Sequence, residues 1–415
     1  MNLTTRIFLA LLAGLAAGAV LPALGGSGIA LAIAEPVGNL WLQALQMTII
    51  PLIAGLLFTG ITESVGTAGG GKLAGRALLA FLGLLIFSAL WAILFVPELL
   101  RLWPAPAAAA AAIVAKSAGA AAAVPEAVID PGKWLLSLVP ANIFEALGKG
   151  DMLPVVTFIS AFALAASRLD APRRDRLTAL FDTVKDAMLV LVGWIFAIAP
   201  IGVFALALTV GLKAGLGAFG LLAHYIAVLV IVQVGLILLV YPLVLVLGGI
   251  GIGRFARAVL PAQAVAVSTQ SSIGSLPAIF VGAERLGLPD NVSRVVLPLA
   301  VSVFRITSPC ANIAVVLYCG HLYGISPGLL ALAGGLLASL AAAVSTGGLP
   351  GSITFLAACV PIANAMGIPV AVLPLLLAVE LVPDIFRTLG NVTADLGVNA
   401  IMAKRLKLES PATAA

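Results

Sequence analysis

Charge is scarce in this chain. Only 9% of its 415 residues are Asp, Glu, Lys or Arg, where soluble domains carry about 25%. Histidine is nearly missing as well: His224 and His321 stand alone in no motif, and no His-rich nucleophile constellation is present. That absence argues against a membrane-embedded hydrolase. The three cysteines, Cys310, Cys319 and Cys359, have neither metal-ligand spacing nor a disulfide framework. They read as small buried apolar residues. With so few charges, the net +5 is an orientation signal and not a nucleic-acid footprint.

What is present is hydrophobic side chain, 62% of the total, with a mean hydropathy of +1.20. The chain reads as an all-α polytopic membrane protein. Long apolar segments fall at 5–24, 38–66, 74–103, 134–167, 186–213, 218–250, 293–322 and 368–403. The first is read as a span and not as a removed signal peptide. Two further apolar regions, 253–286 and 327–363, are interrupted by STQSSIGSLP (268–277) and STGGLPGS (345–352). Each half is too short to cross a hydrocarbon core of ~30 Å.

Basic residues cluster at Lys72/Arg76, Arg168/Arg173/Arg174/Arg176, Arg254/Arg257, Arg285/Arg294 and Lys404/Arg405/Lys407. Eight spans plus two re-entrant helical hairpins, with both termini cytoplasmic, put all five clusters on the inner side. The first broken segment is flanked by basic clusters and the second by nearly uncharged loops. The two hairpins are therefore expected to enter from opposite faces, the inverted-repeat pattern of transporters whose central site lies between broken helices. Residues 104–133 read as an extracellular Ala-rich linker, 168–176 as a charged cytoplasmic loop, and 409–415 as a cytoplasmic tail.

The last span concentrates the chemistry. ELVPDIFRTLGNVTADL (380–396) places Glu380, Asp384, Arg387, Thr388, Asn391 and Asp395 at helical spacing on one face. The charged members would each cost about 2.5–3.5 kcal/mol facing lipid, so the face must meet protein or water. A fixed cation and a fixed anion one turn apart suit a zwitterion with an extra carboxylate. Arg305, in SVFRITSPCAN (302–312), is a second cation in mid-segment.

DIFRTLGNVTAD resembles the last-span signature of the dicarboxylate/amino acid:cation symporters, the glutamate transporter homologues. VPANIFEALGKGDMLP (139–154), APIGVFAL (199–206), the Ser-rich tip and GLPG (348–351) extend the resemblance over most of the chain. It implies an elevator-type transporter of an acidic amino acid, with no cofactor. Residues 1–66 (spans 1–2) and 134–217 (spans 4–5) would form a trimerising scaffold in a bacterial-type inner membrane. Residues 67–103 (span 3) and 218–408 (span 6, hairpin 1, span 7, hairpin 2, span 8) would form the moving transport domain.

The same resemblance assigns roles. Arg387 would hold the substrate's side-chain carboxylate, Asp384 its amino group, and Thr388 and Asn391 further hydrogen bonds. Ser271, Ser272 and Ser308 would add contacts, and the Leu349 backbone would close an outer gate. Asp395, with Asn391, would ligate sodium. The family's Asn-Met-Asp-Gly-Thr motif aligns, without gaps, with Phe304, Arg305, Ile306, Thr307 and Ser308, which lack its carboxylate and amide. Ser88 is the sole hydroxyl between Ala77 and Pro97, and Gln270 stands where some members have arginine. Arg305 is therefore expected to supply a permanent positive charge beside Asp395, Asp384 or Glu380. Glu380 and Asp395 are candidate proton carriers, and the coupling ion, proton or sodium, stays open. The alternatives are a C4-dicarboxylate, a neutral or sulfur-containing amino acid, or a substrate-gated anion channel.

Overall fold

The computed structural model describes residues 3–24, 27–68, 72–108, 110–111, 136, 139–149, 152–214, 217–345 and 351–409. Most of the Ala-rich linker, Leu349 and the last residues of the tail lie outside them. Among the described residues there is no strand. The helices are α1 (Leu3–Val20), α2 (Ser27–Ala68), α3 (Lys72–Leu102), α4 (Ile143–Lys149), α5 (Met152–Ala166), α6 (Ala171–Ala197), α7 (Ala199–Ala214) and α8 (Gly217–Leu243). They continue as α9 (Ile252–Thr269), α10 (Leu276–Leu286), α11 (Asp290–Val303), α12 (Thr307–Tyr323), α13 (Leu329–Ser345), α14 (Gly351–Ala365), α15 (Leu373–Leu377) and α16 (Leu381–Glu409).

Three stretches among the described residues are long and apolar enough to cross a membrane: Gly75–Leu102, Phe219–Gly248 and Asp290–Tyr323. A bent pair, Ala171–Ala197 with Ala199–Thr209, makes a fourth with a 58° break. Pro200, which has no N–H to continue the ladder, sits at that bend. Here the sequence reading needs correction. The basic run at 168–176 is not all loop: α6 begins at Ala171, its exposed arginines form the first turns, and the Asp170 carbonyl accepts from the Arg173 and Arg174 amides. The fourth apolar segment is likewise two helices, α4 and α5.

Helix packing falls into two sets. Helices α1, α2, α5, α6 and α7 pack among themselves and α3 and α8–α12 gather with α16, while α13 and α14 join the two sets by packing on α12 and also on α2 and α5. In the first set α1 crosses α7 closely, because a Cβ on Gly14 would sit 2.6 Å from the Phe204 carbonyl oxygen and one on Gly211 2.6 Å from that of Leu15. Small residues at a crossing let backbones approach where lipid supplies no hydrophobic drive. In the second set α12 is buried on every side from Thr307 to Gly320, as a central helix must be.

Both interrupted segments form packed helix pairs, α9 with α10 and α13 with α14. The first turns at Gln270–Ser275, where Gln270 takes a left-handed conformation (φ 51°) that caps α9. A side chain held there costs about 1–2 kcal/mol. The tip of the second pair falls at 346–350, outside the described residues.

The close approach that positions the site is at Gly390. A Cβ there would lie 2.4 Å from Thr307 Cγ2 and 2.9 Å from Ile237 Cγ1, so α16 meets α8 and the start of α12 at a residue without a side chain. Gly390→Ala should lower stability by about 1–3 kcal/mol through overpacking. Thermal unfolding of the purified protein in detergent, compared with the exposed control Gly193→Ala, measures it.

Candidate functional site

The site is built where α16 begins and where the long stretch Asp290–Tyr323 breaks. Residues Phe304–Ile306 interrupt the helix between α11 and α12. Pro309 lies just inside α12, where a missing N–H is cheapest. Thr307 fastens the break to α16. Its amide donates to Asn391 Oδ1 (3.0 Å), and its hydroxyl lies within bonding distance of Asn391 Oδ1 (2.7 Å) and the Arg387 carbonyl (2.7 Å). From the other side the Ser88 hydroxyl on α3 donates to the Ile306 carbonyl. Phe304 stacks on Phe81, with ring centroids 4.8 Å apart.

Glu380, Asp384, Arg387, Thr388, Asn391 and Asp395 are all buried, as the one-face pattern requires. Glu380 departs from that pattern: it precedes α16 in a turn, and its carbonyl accepts from the Asp384 amide (2.9 Å). Its carboxylate receives the Arg387 guanidinium at 2.5 Å on Oε1 and the Tyr225 hydroxyl at 2.9 Å on Oε2. Arg387 Nη1 lies 3.8 Å from Asp384 Oδ1, beyond hydrogen-bond range, and that oxygen has no hydrogen-bond partner among the described residues.

Thr388 donates to the Asp384 carbonyl (3.1 Å). Asn391 spends its oxygen on Thr307 and leaves Nδ2 without a hydrogen-bond partner among the described residues, as Arg387 leaves Nε. Both Asp395 oxygens likewise meet no hydrogen-bond donor there. Arg305 is buried in the break between α11 and α12.

Ser308 is buried at the start of α12, its amide bonded to the Arg305 carbonyl (2.9 Å). Ser271 and Ser272 are half-buried in the turn of the first helix pair, where Ser271 Oγ accepts from the Gly274 amide (3.0 Å). That pair packs on α16, and Gln263 of α9 donates to Thr393 Oγ1 (2.9 Å) and to the Tyr241 hydroxyl (3.2 Å).

Tyr225, Gln263, Thr307 and Gln233 were not singled out from sequence. Gln233 is wholly buried on α8, one turn before the Ile237 contact with Gly390, and neither amide atom has a hydrogen-bond partner among the described residues. The available signal was a lone polar residue inside a long apolar run. The two histidines serve elsewhere: His224 places Nε2 3.0 Å from the Trp103 carbonyl and Nδ1 3.0 Å from the Tyr318 hydroxyl. The carbonyl can only accept, so Nε2 carries a proton.

A buried arginine and three buried carboxylates on and before one helix suit recognition of a small anionic zwitterion. The model of the sodium:dicarboxylate symporter family matches residues 3–405. The chain belongs to that family. It is therefore a member of a family of symporters and not of enzymes. It is 26% identical over 419 residues to a proton/sodium-glutamate symport protein of Bacillus subtilis, covering 100% of this chain and 95% of the relative. A proton/glutamate-aspartate symporter of Escherichia coli is 24% identical over 374 residues, with 89% and 84% covered. A C4-dicarboxylate transport protein of Anaeromyxobacter is 29% identical over 418 residues, with 97% and 89% covered.

In this symporter the Glu380–Arg387 pair is wholly desolvated, so removing one partner strands the other. Arg387→Met should cost about 3–5 kcal/mol, and Arg387→Met with Glu380→Gln should recover much of it. A double-mutant cycle on detergent unfolding temperatures checks the coupling.

Proposed function

We propose that this protein is a secondary transporter that carries an acidic amino acid, aspartate or glutamate, together with a cation. The observation that supports it most is the Glu380–Arg387 pair beside an Asp384 oxygen that lacks a hydrogen-bond donor. Guanidinium binds carboxylate in bidentate fashion, so a substrate side-chain carboxylate suits Arg387. Asp384 then receives the ammonium group, and Asn391 Nδ2 is a donor for the α-carboxylate. Names among the relatives, glutamate and glutamate-aspartate symport, agree with this chemistry.

Cation coupling follows from charge. Three buried carboxylates, Glu380, Asp384 and Asp395, face two guanidinium groups, Arg305 and Arg387. An anionic substrate deepens that deficit. In our reading a proton on Glu380 releases Arg387 to the substrate, and Tyr225 keeps the protonated carboxyl in place. The substrate carboxylate thus takes the partner that the proton has freed. Sodium remains the alternative coupling ion for the site as a whole.

The wider architecture belongs to the same proposal. Eight spans with two oppositely inserted hairpins, cytoplasmic termini in a bacterial-type inner membrane, and a homotrimer accord with the basic clusters and the exposed apolar side chains. That α1, α2, α6 and α7 pack chiefly with one another, and α3 and α8–α12 with α16, supports a scaffold and a moving domain.

A C4-dicarboxylate is the second reading, favoured by relatives of that name. Asp384 argues against it, because a carboxylate with no ammonium to meet repels a plain dicarboxylate. Losing a charged hydrogen bond to the ammonium corresponds to about 1.5–3 kcal/mol. Asp384→Asn should therefore cut labelled L-aspartate uptake into proteoliposomes by roughly 10- to 100-fold and leave succinate uptake undiminished. Succinate transport by the unaltered protein with no aspartate uptake would overturn the amino-acid assignment.

A further inference from the structure

Both histidines of the chain, His224 on α8 and His321 in the last turn of α12, bond to one short segment, Trp103–Ala105, just past the end of α3. His224 Nε2 lies 3.0 Å from the Trp103 carbonyl, and the two rings meet edge to face with centroids 4.5 Å apart. The Ala105 amide donates to His321 Nε2 at 3.3 Å. Pro104 and Pro106 have no N–H, so between them this amide is the only backbone donor. Ala105 is buried and His321 is half-buried.

The two contacts differ in what they allow. A carbonyl only accepts, so His224 Nε2 carries a proton; an amide N–H only donates, so His321 Nε2 carries none. A second proton on His224 would sit on Nδ1, 3.0 Å from the Tyr318 hydroxyl. That hydroxyl can accept it and turn its own hydrogen to the Leu221 carbonyl at 3.2 Å. His224 therefore keeps its partners in either charge state. A second proton on His321 goes to Nε2, where it meets the Ala105 N–H head on and ends the hydrogen bond. Of the two histidines, His321 is the one whose contact depends on charge.

The groups around His321 come from several helices. Of those packed on α12, α3 carries Glu98 and Arg101 in its last turns, exposed and paired with each other at 2.9 Å. Helix α8 brings His224 and Tyr225, the latter bonded to Glu380. Helix α13 has no titratable side chain and α14 has Cys359 alone. The charged side chains of α16 begin with Asp384 and Arg387, and that helix meets α12 at Thr307, about 20 Å along α12 from His321. On α12 itself the neighbours are Tyr318, Cys319 and Tyr323.

We propose that His321 is a pH-operated latch on the chain leaving α3: neutral, it holds Ala105 against α12, and protonated, it lets the segment go. In the proposed topology the ends of α3 and α12 lie on the outer face, so the latch answers to the outside pH. It fastens the root of the Ala-rich stretch that joins the third span to the fourth, the connection from moving domain to scaffold. The inference goes beyond the reading of the chain as a carrier, and neither substrate nor coupling ion enters its test.

Hydrogen–deuterium exchange of the full chain in lipid nanodiscs, with each rate divided by the intrinsic rate at that pH, tests the latch. Protection of the Ala105 amide should fall roughly three- to ten-fold from about pH 8 to about pH 5, the worth of one hydrogen bond. Peptides of α8 and α12 should stay protected. His321→Gln, whose side-chain oxygen accepts at every pH, should keep the protection in acid. His321→Leu should lack it throughout, and His224→Gln should still show the fall. Protection of wild-type Ala105 that does not change with pH would overturn the proposal. So would a fall that persists in His321→Gln or vanishes in His224→Gln. Should the His321 variants not fold, the wild-type profile decides: a loss confined to the segment supports the latch, and one spread over α8 and α12 overturns it.

Discussion

The ion pair between Glu380 and Arg387 is the interaction around which the central helices are arranged. Both groups are buried, and an ion pair at depth survives only with good geometry and further hydrogen bonds. Tyr225 on α8 meets that need for Glu380, and the turn before α16 brings the carboxylate back over the helix that holds Arg387. The pair ties the start of the last helix to α8. It also holds the Arg387 guanidinium in an orientation that a substrate carboxylate can take over.

The interruption at Phe304–Ile306 is the second constraint. A broken backbone at this depth exposes polar groups that must be satisfied within the protein. Ser88 and Thr307 do so from opposite sides, and Gly390 clears the space that lets α16 come close enough. The break and the last helix thus behave as one packed unit.

Much of this was legible in the sequence because burial of charge is so restrictive. Six polar residues in an apolar segment had to avoid lipid, and all six are buried. The Ser-rich interruption marked the turn between α9 and α10, since two short helices cannot continue through it. Periodicity could not show that Glu380 leaves the helix, because a residue in the preceding turn has nearly the same spacing. Nor could it name distant partners. Ser88 lies 218 residues from Ile306, and Tyr225 lies 155 from Glu380. A lone hydroxyl in an apolar run signals depth and says nothing of which helix it will face. The bend at Pro200 and the helical start at Ala171 were lost for another reason: hydropathy reports environment, and continuous helix can pass from water into an apolar layer.

The exchange of partners at Arg387 is the centre of this account, and infrared difference spectroscopy of substrate binding tests it most directly. Adding L-aspartate to the purified protein should produce the carbonyl band of a newly protonated carboxylic acid, and Glu380→Gln should abolish that band. Substrate binding with no such band, or with one that survives Glu380→Gln, would contradict the release of Arg387 by a proton on Glu380.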